Sequence, residues 1–216
     1  MGTMSILLKT VKFFYLKARY FGSIFMWGRI YLRFCVKSCK QFFNVFTHLT
    51  KKERLLLYKL ASSLPKRAIC VEIGSYLGAS ALFLASGMKE REGTVYCVDT
   101  WKNEGMSEGE RDTFEEFTRN IKPLRDFTHI LRGRSVEIAK TFNKEIDLIF
   151  IDGDHSYEAV RADVEAWIPK VKDGGIVVLH DIGWAEGVKR AVKEFIKPIQ
   201  LEEHIVDNTY WARIKK

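Results

Sequence analysis

From Ala68 onward, short apolar runs rich in β-branched residues alternate with stretches of helical spacing, and this alternation is the strongest restriction on the fold. The sequence predicts strands over 68–73, 94–99, 127–131, 147–152 and 175–180, with a final pair near 204–206 and 210–214. Helices are predicted near 53–63, 79–87, 111–121, 157–168 and 185–195. Strands that read as continuous apolar runs and alternate with helices form a parallel sheet covered on both faces. Ligands of such sheets bind beyond the carboxyl ends of the strands, at the point where strand order reverses.

Four of the predicted strand ends carry polar chemistry. In EIGSYLGAS, Glu72, Gly74, Ser75 and Gly78 turn the first strand into a helix, and the glycines permit positive φ and close approach of a ligand to the backbone. In VDTW, Asp99 is placed to accept both hydroxyls of a ribose, with Thr100 and Trp101 beside it, although a strand-end Asp also serves as a helix cap. Together the two motifs point to an adenosine-containing ligand. Gly74 is followed by Ser75, Tyr76 and Leu77 before Gly78, so the GxGxxG of a dinucleotide site is missing, as is the GK[ST] of a P-loop.

The other two ends, IDGDHSY and VVLHDIGW, bring Asp152, Asp154, His155, His180 and Asp181 to one rim of the sheet. A hard cation such as Mg²⁺ takes one or two carboxylates plus waters and substrate oxygens, which Asp152 and Asp181 offer. Asp154 and His180 are further candidate ligands or supports of the ligands. Against this, Asp152 or Asp154 could cap the helix that begins near Ser156, and either histidine could be a hydrogen-bonded core residue. So many ionisable groups at neighbouring strand ends are costly to bury for packing alone, which favours the functional reading.

The net charge of +8 is unevenly spread: residues 1–52 hold ten Lys and Arg and no acid, leaving 25 basic against 27 acidic residues for the rest. A nucleic-acid-binding body is not indicated. Residues 1–52 are therefore expected to form a basic, aromatic-rich, amphipathic helical segment, and residues 53–216 the globular domain. Leu7, Val11, Phe14, Ala18, Phe21 and Phe25 recur at helical spacing, with a basic stripe at Arg29, Arg33, Lys37 and Lys40. The charge-free runs 20–28 and 41–50 are shorter than the roughly 20 apolar residues a bilayer span needs. Residues 5–46 suit an interfacial helix on an anionic membrane surface, or equally a packing element against the body or a second copy in a homo-oligomer. A mitochondrial transit peptide is a third reading, for which the segment is poor in Ser. Cys35, Cys39, Cys70 and Cys97 form no CxxC or zinc spacing and read as reduced thiols of a cytoplasmic protein, peripheral on a membrane if the first segment is interfacial.

EIGSYLGAS, VDTW, RGRSVE, FIDGDHSYEAVRADVEAW and KDGGIVVLHD resemble the class I S-adenosylmethionine-dependent methyltransferases, specifically the small metal-dependent branch containing sugar and antibiotic O-methyltransferases. The resemblance covers roughly residues 53–216. It implies a Rossmann-like, doubly wound α/β fold, its seven-stranded sheet ending in an antiparallel edge pair, here with an N-terminal helical appendage. It also implies that Gly74 and Gly78 approach the amino-acid part of the cofactor, Glu72 supports that loop, Asp99 holds the ribose and Ser135 lies near the adenine. Asp152 and Asp181 match metal carboxylates, and His155 matches the general base of sugar-methylating relatives. His180 stands where many relatives carry an acidic residue, which leaves the third protein ligand open. The function expected is transfer of a methyl group to a hydroxyl of a sugar, glycan or related small molecule, assisted by Mg²⁺. The alternatives are a catalytically silent S-adenosylmethionine-binding scaffold at a membrane and an NAD-linked oxidoreductase. Residues 102–111 are expected to form a mobile lid or an ordinary surface loop.

Overall fold

The computed structural model of the chain describes residue 23, residues 25–103 and residues 109–216. The chain divides into two compact units, Met1–Cys39 and Lys40–Lys216. Residues 40–52, set apart from the globular domain in the sequence reading, thus fall within the second unit. The helical spacing expected from Leu7 to Phe21, and residues 104–108 of the expected 102–111 lid, lie outside the described residues.

In the first unit, helix α1 runs over residues 25–37. Phe25, Leu32 and Val36 on it are 68%, 64% and 80% exposed. At spacings of seven and four they share one side of the helix with Arg29, whose guanidinium lies 5.7 Å from the Phe25 ring centroid. Among the described residues no helix is long and apolar enough to cross a membrane.

The second unit opens with a 3-10 segment, Lys40–Asn44, and then α2 (Lys51–Ser62). A reciprocal cap starts α2: Thr50 Oγ1 accepts from Glu53 N at 3.2 Å, and Glu53 Oε2 accepts from Thr50 N at 2.7 Å. There follow β1 (Ile69–Ile73), α3 (Ala79–Glu90), β2 (Thr94–Asp99), α4 (Phe114–Ile121), β3 (Thr128–Arg132), α5 (Ser135–Thr141), β4 (Ile146–Ile151), α6 (Tyr157–Trp167), β5 (Val171–Leu179), α7 (Glu186–Ala191), β6 (Gln200–Val206) and β7 (Thr209–Ile214).

The sheet order is β3-β2-β1-β4-β5-β7-β6. The first five strands in chain order pair in parallel, and β7 enters antiparallel between β5 and the edge strand β6. This is the expected doubly wound sheet with an antiparallel edge pair. Every residue of β4 is buried, as its apolar sequence requires. One face, carrying Val71, Ile73, Ile149, Ile151, Val177 and Leu179, packs on Val160, Val164 and Trp167 of α6 and on Val188 and Ala191 of α7. Each such fully buried side chain contributes about 1.5–3 kcal/mol. Helix α3 packs on β1 and β2, and α2 and α4 are among its other neighbours. Order reverses between β1 and β4, so their carboxyl ends open the crevice.

Three departures from the expected elements stand out. β5 starts at Val171, because Gly174 (φ +71°) and a register shift between Ile146 and Leu148 carry the pairing past the Asp-Gly-Gly that reads as a turn. β6 begins at Gln200, earlier than expected. The short helix α5, seven residues of mixed polarity, was not foreseen.

Candidate functional site

Three loops meet at the crevice. The chain leaves β1 with Gly74 at φ +84°, where an added Cβ would fall 2.0 Å from the carbonyl oxygen of Asp152. Asp152 N donates to Ile73 O at 2.9 Å and Gly74 N donates to Val98 O at 3.0 Å, so the ends of β1, β2 and β4 are locked together here. Asp99 stands at the end of β2; its Oδ1 accepts from Trp101 N at 2.7 Å and its Oδ2 from Tyr76 N at 2.8 Å. One lone pair on each oxygen is left for a ligand. Tyr76, Trp101, Asn103 and Asp181, none of them glycine, all have positive φ. Such strained backbone gathers at binding and catalytic sites.

A cavity of about 1040 Å³ follows these loops. Gly74, Ser75, Asp99, Thr100, Ser135, Asp152, His155, His180 and Asp181 line it, as do Phe46, His48 and Trp184. Glu72, Gly78 and Trp101, also expected at the cofactor, stand behind the lining. Ser75 Oγ donates to Glu72 Oε2 at 2.6 Å, and Glu72 is fully buried, which pushes its carboxyl up to about 7. Gly78 starts α3 at φ +85° against Phe117 and Ile121. Trp101 is buried, and its Nε1 donates to Tyr76 O at 3.0 Å.

At the other end of the cavity, Asp152, His155 and Asp181 each present a ligand atom within 4.8 Å of the others. His155 Nε2 lies 2.6 Å from Asp181 Oδ2. Asp181 Oδ1 accepts from Trp184 Nε1 at 2.7 Å and from Asn208 Nδ2 at 2.6 Å. The hydrogen bond that His155 donates to Asp181, outweighing half-burial, raises the imidazole above its ordinary value. Burial alone would raise Asp181, yet bonds from His155 and His180 hold it below the carboxylate range.

His180, expected as a further ligand or a support of the ligands, lies against the carboxylates of Asp152 and Asp181. It is buried, with Nδ1 3.2 Å from both Asp152 Oδ1 and Asp181 Oδ1. Nε2 lies 3.4 Å from Glu53 Oε1, an ion-pair contact without hydrogen-bond alignment. Burial would lower this imidazole, but the carboxylates of Asp152, Asp181 and Glu53 outweigh it and push it up to about 12. His180 is a cation set among three carboxylates.

Asp154 Oδ1 accepts from Ser156 N at 2.6 Å, closing a turn ahead of α6, whose cap is Ser156 and not Asp154: Ser156 Oγ accepts from Ala159 N at 3.3 Å. Two residues that organise the rim were missed from sequence. Glu53, fully buried, uses Oε2 to cap its own helix while Oε1 accepts from Asn208 N at 2.7 Å and Thr209 Oγ1 at 3.0 Å. Burial would raise Glu53; the charge of the neighbouring His180 and the Thr50 N–H lower it to about 2. Asn208, in the β6–β7 turn, reaches Asp181 as above and accepts from Gly183 N at 2.6 Å. The Thr-x-x-Glu capping box was legible for Glu53; nothing local marks Asn208.

A methyltransferase domain model matches residues 71–182, from β1 to just past β5. The protein y4gI of Sinorhizobium fredii, uncharacterised, is 31% identical over 116 residues, 51% of this chain. The matching stretch is only 13% of that relative's length. The structure of the O-methyltransferase NovP superposes with a TM-score of 0.67 at 19% identity, covering 79% of this chain and 82% of NovP. An O-methyltransferase from Bacillus cereus in complex with SAH superposes at 0.60 and 17% identity, covering 80% and 85%. At these identities the two structures speak for the fold, and the matched family model, which spans just over half of the residues, for descent. The chain belongs to the S-adenosylmethionine-dependent methyltransferase family.

Proposed function

We propose that the protein transfers the methyl group of S-adenosylmethionine to a hydroxyl of a sugar, glycan or related small molecule, assisted by a divalent cation. The observation that carries this reading is the meeting of Asp152, His155 and Asp181 in the same cavity as Gly74, Asp99 and Ser135. The cavity is at the upper end of the usual range for ligand pockets, room for a nucleoside cofactor and a second molecule. Asp99, Asp152, Asp154, Asp163 and Asp181 line it, with Arg134 and His180 as the fixed cations. Such a lining suits a sulfonium and repels a pyrophosphate, which argues against the NAD-linked alternative.

S-adenosylmethionine supplies an electrophilic methyl carbon, and the protein must align a hydroxyl behind it and remove its proton. With Nε2–H donating to Asp181, Nδ1 of His155 is the atom left to take that proton. Asp181 holds the ring in this orientation. Asp152 and Asp181 would hold the cation, whose chemistry is to lower the pKa of the acceptor hydroxyl. The donor set fits: two carboxylates of suitable spacing, with His180 cancelling part of their mutual repulsion. Phe46, His48 and Trp184 line the acceptor side, and Trp184 is 60% exposed.

The test is methyl transfer to a panel of glycosides and small hydroxyl acceptors, with Mg²⁺ and with EDTA. His155→Ala should lose turnover while keeping affinity for S-adenosylhomocysteine, and Asp181→Ala should lose metal stimulation. Full activity in EDTA would end the metal assignment. Cofactor binding without transfer to any acceptor would favour the silent scaffold.

The exposed Phe25, Leu32 and Val36 beside Arg29, in a segment free of acids, favour attachment to an anionic membrane surface. Flotation with phosphatidylserine vesicles tests this: Leu32→Glu with Val36→Glu should release the chain. Equal partitioning of variant and wild type would remove the membrane reading.

A further inference from the structure

Trp184, in the loop that follows β5, is a large apolar side chain left exposed in a cavity and yet held in place. Its one polar atom is already used: Nε1 donates to Asp181 Oδ1 at 2.7 Å, so the indole has no donor left for a ligand and offers only its ring. That bond, together with Ala185 N donating to Asp181 O at 2.9 Å, fixes where the ring stands. The indole centroid lies 5.0 Å from that of the His155 ring, with the planes 55° apart. Whatever covers the indole therefore lies beside the imidazole assigned to proton removal. Phe46, 54% exposed, is a second open ring on the same cavity. The other large apolar side chains exposed in the second unit, among the described residues, are Leu201 and Ile205 on the edge strand β6, away from the cavity lining. A fixed aromatic ring exposed inside a pocket is a stacking surface for a ligand. Both Phe46 and Trp184 lie outside residues 71–182, so the family match does not account for them.

The surroundings restrict what can lie on the indole. Asp152, Asp154 and Asp181 stand around this end of the cavity, and the His180 cation offsets only part of their charge. Carboxylates only accept, so they call for hydroxyl donors on the ligand and repel a phosphate or carboxylate carried by it. A ring with C–H groups across its faces and hydroxyls around its rim meets both demands. A pyranose is such a ring, whereas a phenol brings one or two hydroxyls and leaves most of the carboxylates unmet. We infer that Trp184 is a specificity-determining residue for the acceptor: its indole carries an uncharged pyranose, with Phe46 as a second apolar contact, and anionic sugars are rejected. The inference rests on the methyl-transfer reading above and narrows its acceptor.

Saturation-transfer difference NMR of the full chain, with S-adenosylhomocysteine and Mg²⁺ present, reads this contact without requiring turnover. The probes are the methyl glycosides of glucose, galactose, mannose and rhamnose, the methyl glycosides of glucuronic and galacturonic acid, and catechol. At least one neutral glycoside should bind, with saturation strongest on its ring C–H protons, and the uronides and catechol should bind about tenfold more weakly or worse. Trp184→Ala should weaken the bound glycoside about tenfold, and Trp184→Phe, which keeps a ring face but loses the bond to Asp181, should stay within about threefold of wild type. A role only in holding Asp181 would make the two substitutions equally damaging. Binding of S-adenosylhomocysteine by each variant shows that the fold is intact. Absence of glycoside binding while S-adenosylhomocysteine binds would overturn the inference, as would glycoside binding unchanged in Trp184→Ala, or uronides or catechol bound as tightly as the neutral sugars. If wild type does not bind S-adenosylhomocysteine, the methyl-transfer reading itself fails and takes this inference with it.

Discussion

Replacing Gly74 with Ala probes the contact on which the cofactor end of the crevice depends. An L-residue at φ +84° costs about 1–2 kcal/mol in backbone strain alone. The added methyl carbon would also sit 2.0 Å from the carbonyl oxygen and 2.6 Å from the carbonyl carbon of Asp152, both backbone atoms. Asp152 cannot step aside cheaply, because its N–H is bonded to Ile73 O at 2.9 Å inside the β1–β4 ladder. The combined cost is about 4 kcal/mol or more, roughly 8–16 °C in melting temperature for a domain of this size. Gly174→Ala is the internal control: φ is +71° and nothing lies within 4 Å of its added Cβ, so only the strain of about 1–2 kcal/mol remains. Urea denaturation of both variants gives the difference, and calorimetry with S-adenosylhomocysteine should show binding lost in Gly74→Ala and kept in Gly174→Ala. If the two variants were equally stable and equally able to bind, the close approach of Gly74 to Asp152 would not be what builds the site.

Two further predictions concern buried carboxyls. Glu53→Ala leaves the His180 cation, the Asn208 N–H and Thr209 Oγ1 without their acceptor and should cost about 3–5 kcal/mol in urea denaturation, with Glu53→Gln costing less; a loss under about 1 kcal/mol for both would mean that Glu53 does not brace the rim. Glu72 has its folded-state pKa raised from 4.5 to about 7, so the folded state holds this proton more tightly than the unfolded chain. The stability linked to it is present below 4.5 and lost as pH rises through about 7, a penalty of about 3 kcal/mol above that range. Glu72→Gln, which carries no such proton, should therefore gain on wild type by about that amount between pH 5 and pH 8; a constant difference across this window would place the Glu72 carboxyl in a less buried setting.

Much of the fold was legible because parallel strands buried on both faces must be continuous apolar runs, and Ile146–Ile151 is one. The polar residues that end such runs, Asp99, Asp152 and Asp181, were legible for the same reason: a carboxylate directly after a buried strand stands out. Asp152, Asp181 and His155 were accordingly expected on one rim, and they meet there. What the sequence hid depends on contacts distant in the chain. His180 is seen from the sequence beside Asp181 alone; the third carboxylate near it comes from Glu53 of α2, 127 positions earlier. Asn208 sits in a hairpin turn whose pattern says nothing of Asp181.

Calorimetric titration of the full chain with S-adenosylhomocysteine, with NADH as the parallel control and each run with and without Mg²⁺, tests the central claim most directly. The account predicts micromolar binding of S-adenosylhomocysteine, its loss in Asp99→Ala, and no binding of NADH. Binding of NADH, or of neither compound, would contradict it.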